Sequence, residues 1–148
     1  MSTRLLEIEA IASCVTALGV ILGFAQIWYV RKQSVAQFED EMSRQYREIL
    51  KTIPVKALLG GELAPKEFEQ AENGIYHYLD LSNEQVFLRK NNRVSQETWE
   101  SWRDGIKSNL SRQAFAQVWN RIKSTAIDSF SELKRLEASD FKGDPKHW

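Results

Sequence analysis

The sequence predicts an all-α protein: a single N-terminal transmembrane helix continuing into a stalk, followed by a small cytosolic helical bundle. Three observations lead there. Residues 10 to 30 form an apolar run whose only strongly polar side chain is Gln26. At about 1.5 Å of rise per residue this run covers roughly 31 Å, the thickness of a bilayer's hydrocarbon core. No proline or glycine falls between residues 26 and 53, so nothing local stops that helix before Pro54. Further on, apolar residues recur at three- and four-residue spacings, and no window shows the two-residue alternation of a strand.

Taken in order, residues 1 to 9 form a short extracytoplasmic N-terminus and residues 10 to 30 the transmembrane helix. Orientation follows from the flanks. Arg31, Lys32, Arg44, Arg47 and Lys51 follow the run, against Arg4 alone before it, together with Glu7 and Glu9. Lys and Arg resist translocation, so the N-terminus is expected outside and the C-terminal part in the cytoplasm. Trp28 and Tyr29 stand where an interfacial aromatic belt belongs, and Arg31 and Lys32 where lipid phosphates would meet them. A cleaved signal peptide would have the wrong charge at Glu7 and Glu9. Ile11-Ala12-Ser13-Cys14 looks like a lipoprotein box, but the apolar run follows the cysteine instead of preceding it. A buried core helix would carry a polar stripe, and none exists between Ile11 and Ala25. Within the run Gly19 and Gly23 form a GxxxG pair suited to close helix contact, with Gln26 able to bond across such an interface.

The stalk covers residues 31 to 53. Val35, Phe38, Met42, Ile49 and Ile53 form an apolar stripe that needs a cover, either the following domain or another copy. Residues 54 to 138 read as the cytosolic helical domain. Gly60-Gly61 makes a turn, and Pro65 suits the first turn of a helix reaching about Leu88, with Phe68, Ala71, Ile75, Tyr78, Leu79, Val86 and Phe87 on its apolar face. A slip at Leu81-Ser82 suggests a kink. After a polar loop through Asn91-Asn92, Ser95 caps a helix carrying Trp99, Trp102, Ile106 and Leu110. Ser111 is the expected cap of the next, with Phe115, Val118, Trp119 and Ile122, and the pattern resumes through Ile127, Phe130, Leu133 and Leu136. Residues 139 to 148 read as a flexible tail.

Twenty Lys and Arg against 20 Asp and Glu leave no net charge, which disfavours nucleic acid as a partner. The single cysteine, Cys14, lies in the apolar run, so neither a disulfide framework nor a cysteine metal site is expected. The one chemical constellation is the stripe Glu69, Asn73, His77, Asp80 and Glu84, where His77 and Asp80 would project side by side toward a divalent ion. A solvated helix face needs no such role. No GxSxG elbow, phosphate-cradling glycine loop, CxxC or HExxH is present, so no enzymatic activity, cofactor or small-molecule substrate is expected.

The order of elements, with Tyr29-Val30-Arg31-Lys32-Gln33, the stretch from Tyr76 to Glu84, Val94-Ser95-Gln96-Glu97-Thr98-Trp99, and Phe115 with Trp119, resembles small bacterial membrane-anchored α-helical proteins of a domain-of-unknown-function family. The resemblance implies an inner-membrane anchor and transfers no activity. The expectation is a single-pass accessory or interaction subunit of a larger membrane complex, its partners the bilayer and other membrane subunits or copies of itself. The alternatives are a homo-oligomeric membrane effector or pore, and a metal-dependent enzyme on the His77 face.

Overall fold

The structure, a computed structural model, describes the chain from residue 2, with side chains from Val15 onward. Among the described residues every regular element is helical: α1 (Ser2–Leu50), α2 (Val55–Leu58), α3 (Pro65–Lys90), α4 (Gln96–Leu110), α5 (Gln113–Thr125) and α6 (Ser131–Ala138), then a 3₁₀ turn, Pro145–His147. The chain divides into two compact units, Met1–Gln37 and Phe38–Trp148. The division falls inside the expected stalk, because the end of α1 contributes to the core of the second unit: Met42 is buried there, with Tyr46, Ile49 and Leu50 half-buried against it.

In the first unit, Val15, Leu18, Val20, Ile21, Leu22, Phe24, Ile27, Trp28, Tyr29 and Val30 are each between 53% and 70% exposed. Among the described residues no helix is long and apolar enough to cross a membrane. From Val15 the apolar stretch meets Gln26, Arg31 and Lys32 before a full span is complete, and positions 10 to 14 of the run, with Arg4, Glu7 and Glu9, lie outside the described side chains.

The second unit is built around α3. It packs against α4, α5, α6 and the C-terminal 3₁₀ turn. α1 ends at Leu50, a few residues before Pro54, where the N–H groups of Thr52 and Ile53 donate to Ile49 and Leu50 at 2.9 and 3.2 Å, a tightened last turn. α2 stops at Gly60, whose φ of 80° is the left-handed conformation that favours glycine. Pro65 opens α3, and the Glu67 carboxylate accepts the Ala64 N–H at 2.8 Å. At the Leu81-Ser82 slip the helical assignment of α3 continues without a break, and both residues are buried because the helix is covered on more than one side. For the same reason Leu88 and Arg89 are buried, while Phe87, expected inside, is exposed.

Ser95 caps α4 as expected, its Oγ accepting the Thr98 N–H at 3.2 Å, and its own N–H donates to Glu39 Oε1 at 2.7 Å. Ser111 does not cap α5. It terminates α4, its hydroxyl donating to the Ser108 carbonyl, and the extended N-cap of α5 is Arg112. Trp99, Phe115, Val118, Trp119, Ile122, Phe130, Leu133 and Leu136 are core residues as expected, whereas Ile127 is exposed. α6 receives its cap from across the bundle: Asn83 Oδ1 on α3 accepts the Leu133 N–H at 3.0 Å. Phe130, just before α6, has a φ of 59°, an unusual conformation for a bulky residue, and its ring packs edge-on against Trp119 and Tyr76.

The flexible tail expected over residues 139 to 148 is instead docked on α3. Arg89, 4% exposed, forms a two-pronged ion pair with Asp144 and donates to the Val94 carbonyl at 2.8 Å. Pro145 is buried, and the Trp148 ring lies 4.6 Å from the Arg135 guanidinium. The apolar and ionic partners of this segment are far away in sequence, so its polar, Gly- and Pro-containing composition hides them.

Candidate functional site

In the first unit the structure places Gly19 and Gly23 in open space, where an added Cβ would touch nothing within 4 Å. Trp28 has the Lys32 ammonium 5.4 Å from its ring centre, and Tyr29, Arg31 and Lys32 are exposed. Gln26 is exposed on the same helix. Of the stalk stripe, Val35 is half-buried and Phe38 is exposed with the Arg93 guanidinium over its ring. Met42 and Ile53 are buried and Ile49 half-buried in the second unit's own core.

On α3, Glu69, Asn73, His77, Asp80 and Glu84 all face outward and exposed. His77 has one ring neighbour, Tyr76, edge-on at 6.0 Å. Among the described residues no group of three or more His, Cys, Asp or Glu side chains is gathered closely enough to hold a metal ion.

The feature that the sequence does not announce is a cleft of about 430 Å³ in the second unit, where the end of α1 passes α3 and α4. Its walls are aromatic. Tyr46 and Tyr78 meet at 6.1 Å with their rings tilted by 57°, and Trp102 and Ile106 close the α4 side. Helical spacing put Trp99 and Trp102 together as core residues; Trp99 is fully buried, and Trp102 is partly buried against the same core while also lining the cleft. Burial pushes the Tyr78 hydroxyl up to about 12, against the opposing effect of hydrogen bonding with Asn109 and Ser82, so it stays a neutral phenol at physiological pH.

Gln85 on α3 lines this cleft and is 4% exposed; its side-chain amide makes no hydrogen bond to another described residue and is open to the cleft, whereas the sealed polar atoms without a partner among the described residues are Nε1 of Trp99 and of Trp119. A side-chain amide ordinarily pairs with protein or water. At the mouth, Arg47 makes no ion pair, and Ser43 and Ser101 no side-chain hydrogen bond, among the described residues. Gly105 forms part of the α4 wall; a Cβ there would meet nothing within 4 Å. A helical glycine costs about 1 kcal/mol relative to alanine, and at 105 neither a positive φ nor a close approach requires it. What it does is leave the cleft open. The sequence reading did not single out Gln85, because periodicity by itself does not distinguish a cleft-facing amide from a solvated one.

Comparison with known proteins finds no match: no protein family fits the chain, and no curated protein or solved structure resembles it significantly. The resemblance drawn from the sequence motifs therefore has no matching family behind it.

Proposed function

We propose that this chain is a single-pass membrane-anchored interaction subunit, in which the first unit holds the helical second unit at the inner membrane beside a larger membrane complex. One observation carries the reading: ten large apolar side chains from Val15 to Val30 stay exposed around the whole circumference of α1. A helix that is hydrophobic all round needs lipid or protein on every side. The described stretch from 15 to 30 would cover about 24 Å, short of a span; the sequence positions 10 to 14 extend it to roughly 31 Å. Arg31 and Lys32, with Trp28 and Tyr29 just before them, supply the interfacial end that this reading needs.

The second unit supports a role as an interaction module because it has its own core while its first helix continues from the apolar segment. The deciding measurement is the native mass of the assembly extracted from membranes in mild detergent, with each co-purifying chain identified. A stoichiometric foreign membrane subunit is the expected result. A multiple of this chain's mass alone would replace the accessory role with a self-assembling membrane effector. Recovery of the chain in the aqueous phase after carbonate treatment of membranes would remove the anchor itself.

A further inference from the structure

The cleft between the end of α1, α3 and α4 combines features that neither a packing defect nor a docking face for an apolar helix would need. One of its polar groups is the Gln85 amide, whose residue is 4% exposed and which is open to the cleft with no hydrogen bond to another described residue. A primary amide offers an acceptor and a donor side by side in one plane. It is matched by a ligand edge that carries a donor beside an acceptor, as a lactam or a nucleobase does. The rings of Tyr46, Tyr78 and Trp102 around it favour a flat π-system, which gains from stacked or edge-on contact. The outer end is cationic and hydroxylated: Arg47 is without an ion pair, and the Ser43 and Ser101 hydroxyls are uncommitted among the described residues. That end suits an anion. A volume of about 430 Å³ lies within the usual range for small-molecule sites.

We propose that this cleft binds a small planar nitrogen heterocycle bearing an anionic group, of the class of a nucleoside monophosphate, with Gln85 reading the edge of the heterocycle, the aromatic walls holding its faces and Arg47 taking the anion. The proposal is independent of the membrane reading, because every residue named belongs to the second unit. It turns the second unit from a passive module into one that senses a ligand, since α1 residues 43 to 47 form one wall and would be bridged to α3 and α4 by an occupant.

The test uses the full chain in detergent micelles and four probes, the adenosine, guanosine, cytidine and uridine 5′-monophosphates, with binding followed by calorimetry. The parent nucleosides and inorganic phosphate are the comparison ligands. Saturable binding of at least one nucleotide at up to millimolar concentration is expected. Gly105→Leu fills the open wall without touching the core and is expected to weaken that binding by at least about tenfold while leaving the thermal transition in place. Arg47→Gln, at an exposed position, is expected to lower nucleotide affinity toward that of the nucleoside. Gln85→Met is expected to erase the preference among bases. Absence of saturable binding for all four nucleotides would overturn the proposal, as would binding that Gly105→Leu leaves unchanged. Inorganic phosphate competing as well as the nucleotide would overturn the heterocycle, and equal affinity for nucleoside and nucleotide would overturn the anion subsite.

Discussion

Gly74 and Gly105 both sit inside helices, and their surroundings give them opposite consequences. A Cβ on Gly74 would lie 2.5 Å from Thr52 Oγ1 and 2.8 Å from Ile53 Cγ1, so the close approach of α3 to the turn that follows α1 depends on the missing side chain. Gly74→Ala is expected to lower stability by about 1–3 kcal/mol through overpacking, whereas Gly105→Ala, which meets nothing, is expected to raise it by about 0.5–1 kcal/mol through helix propensity. Chemical denaturation of the two variants checks the difference in sign. Arg89 and Asp144 offer a second test. The hydrogen-bonded Arg89 guanidinium holds the Asp144 carboxyl below its ordinary value of 3.8. Between the lowered folded value and the unfolded one, the unfolded chain binds more protons, so stability rises with pH there. The contribution is therefore complete above the ordinary carboxyl range and fades as pH falls through the lowered value. Asp144→Asn should flatten that acid limb of the stability curve and cost about 2–4 kcal/mol at neutral pH, because it leaves a buried guanidinium without its counter-charge.

At the scale of elements, the end of each helix is where local signals and tertiary contacts compete. Ser95 was legible because its partner, the Thr98 N–H, is three residues away. The cap of α6 was not, since Asn83 is 50 residues from Leu133 and lies on the polar side of a helix pattern. Asn83→Ala is expected to cost about 1 kcal/mol and to raise amide hydrogen exchange in the first turn of α6 before the rest of the unit. The same competition explains Ser111, a good N-cap residue locally, whose hydroxyl closes α4 because the chain turns immediately after it. It also explains the last ten residues: their hold on α3 includes the ion pair of Asp144 with the buried Arg89 side chain, 55 residues away in sequence.

For the whole molecule, the division at Gln37–Phe38 separates two kinds of surface. The second unit has one contiguous core running from Met42 to Leu136, tied by rings such as Tyr78 against Phe115 at 5.3 Å. A fragment comprising residues 38 to 148 is expected to fold cooperatively and remain in aqueous solution without detergent, while the full chain requires it; sedimentation and thermal unfolding of both forms measure this. Aggregation of the fragment would show that the core depends on residues before Phe38. The expected stalk proves to be partly core, since Met42 and Ile53 repeat at helical spacing on a face that α3 and its neighbours cover. The periodicity identified the apolar face correctly and left open whether the cover came from the same chain or from another copy.

By itself the sequence determined the helical class, the positions of most helices and the exceptional apolarity of residues 10 to 30, because these depend on composition and on spacings of three and four residues, which are local quantities. It also determined most of the core, from Ile75 and Leu79 through Trp119 to Leu136. Only the tertiary structure decided that Trp102 lines a cleft where Trp99 fills the core, that Gln85 turns its amide to that cleft, and that the C-terminal segment is held by Arg89. Each of these rests on which distant helix lies opposite a given face, and a one-dimensional pattern records that a face is apolar without recording what covers it.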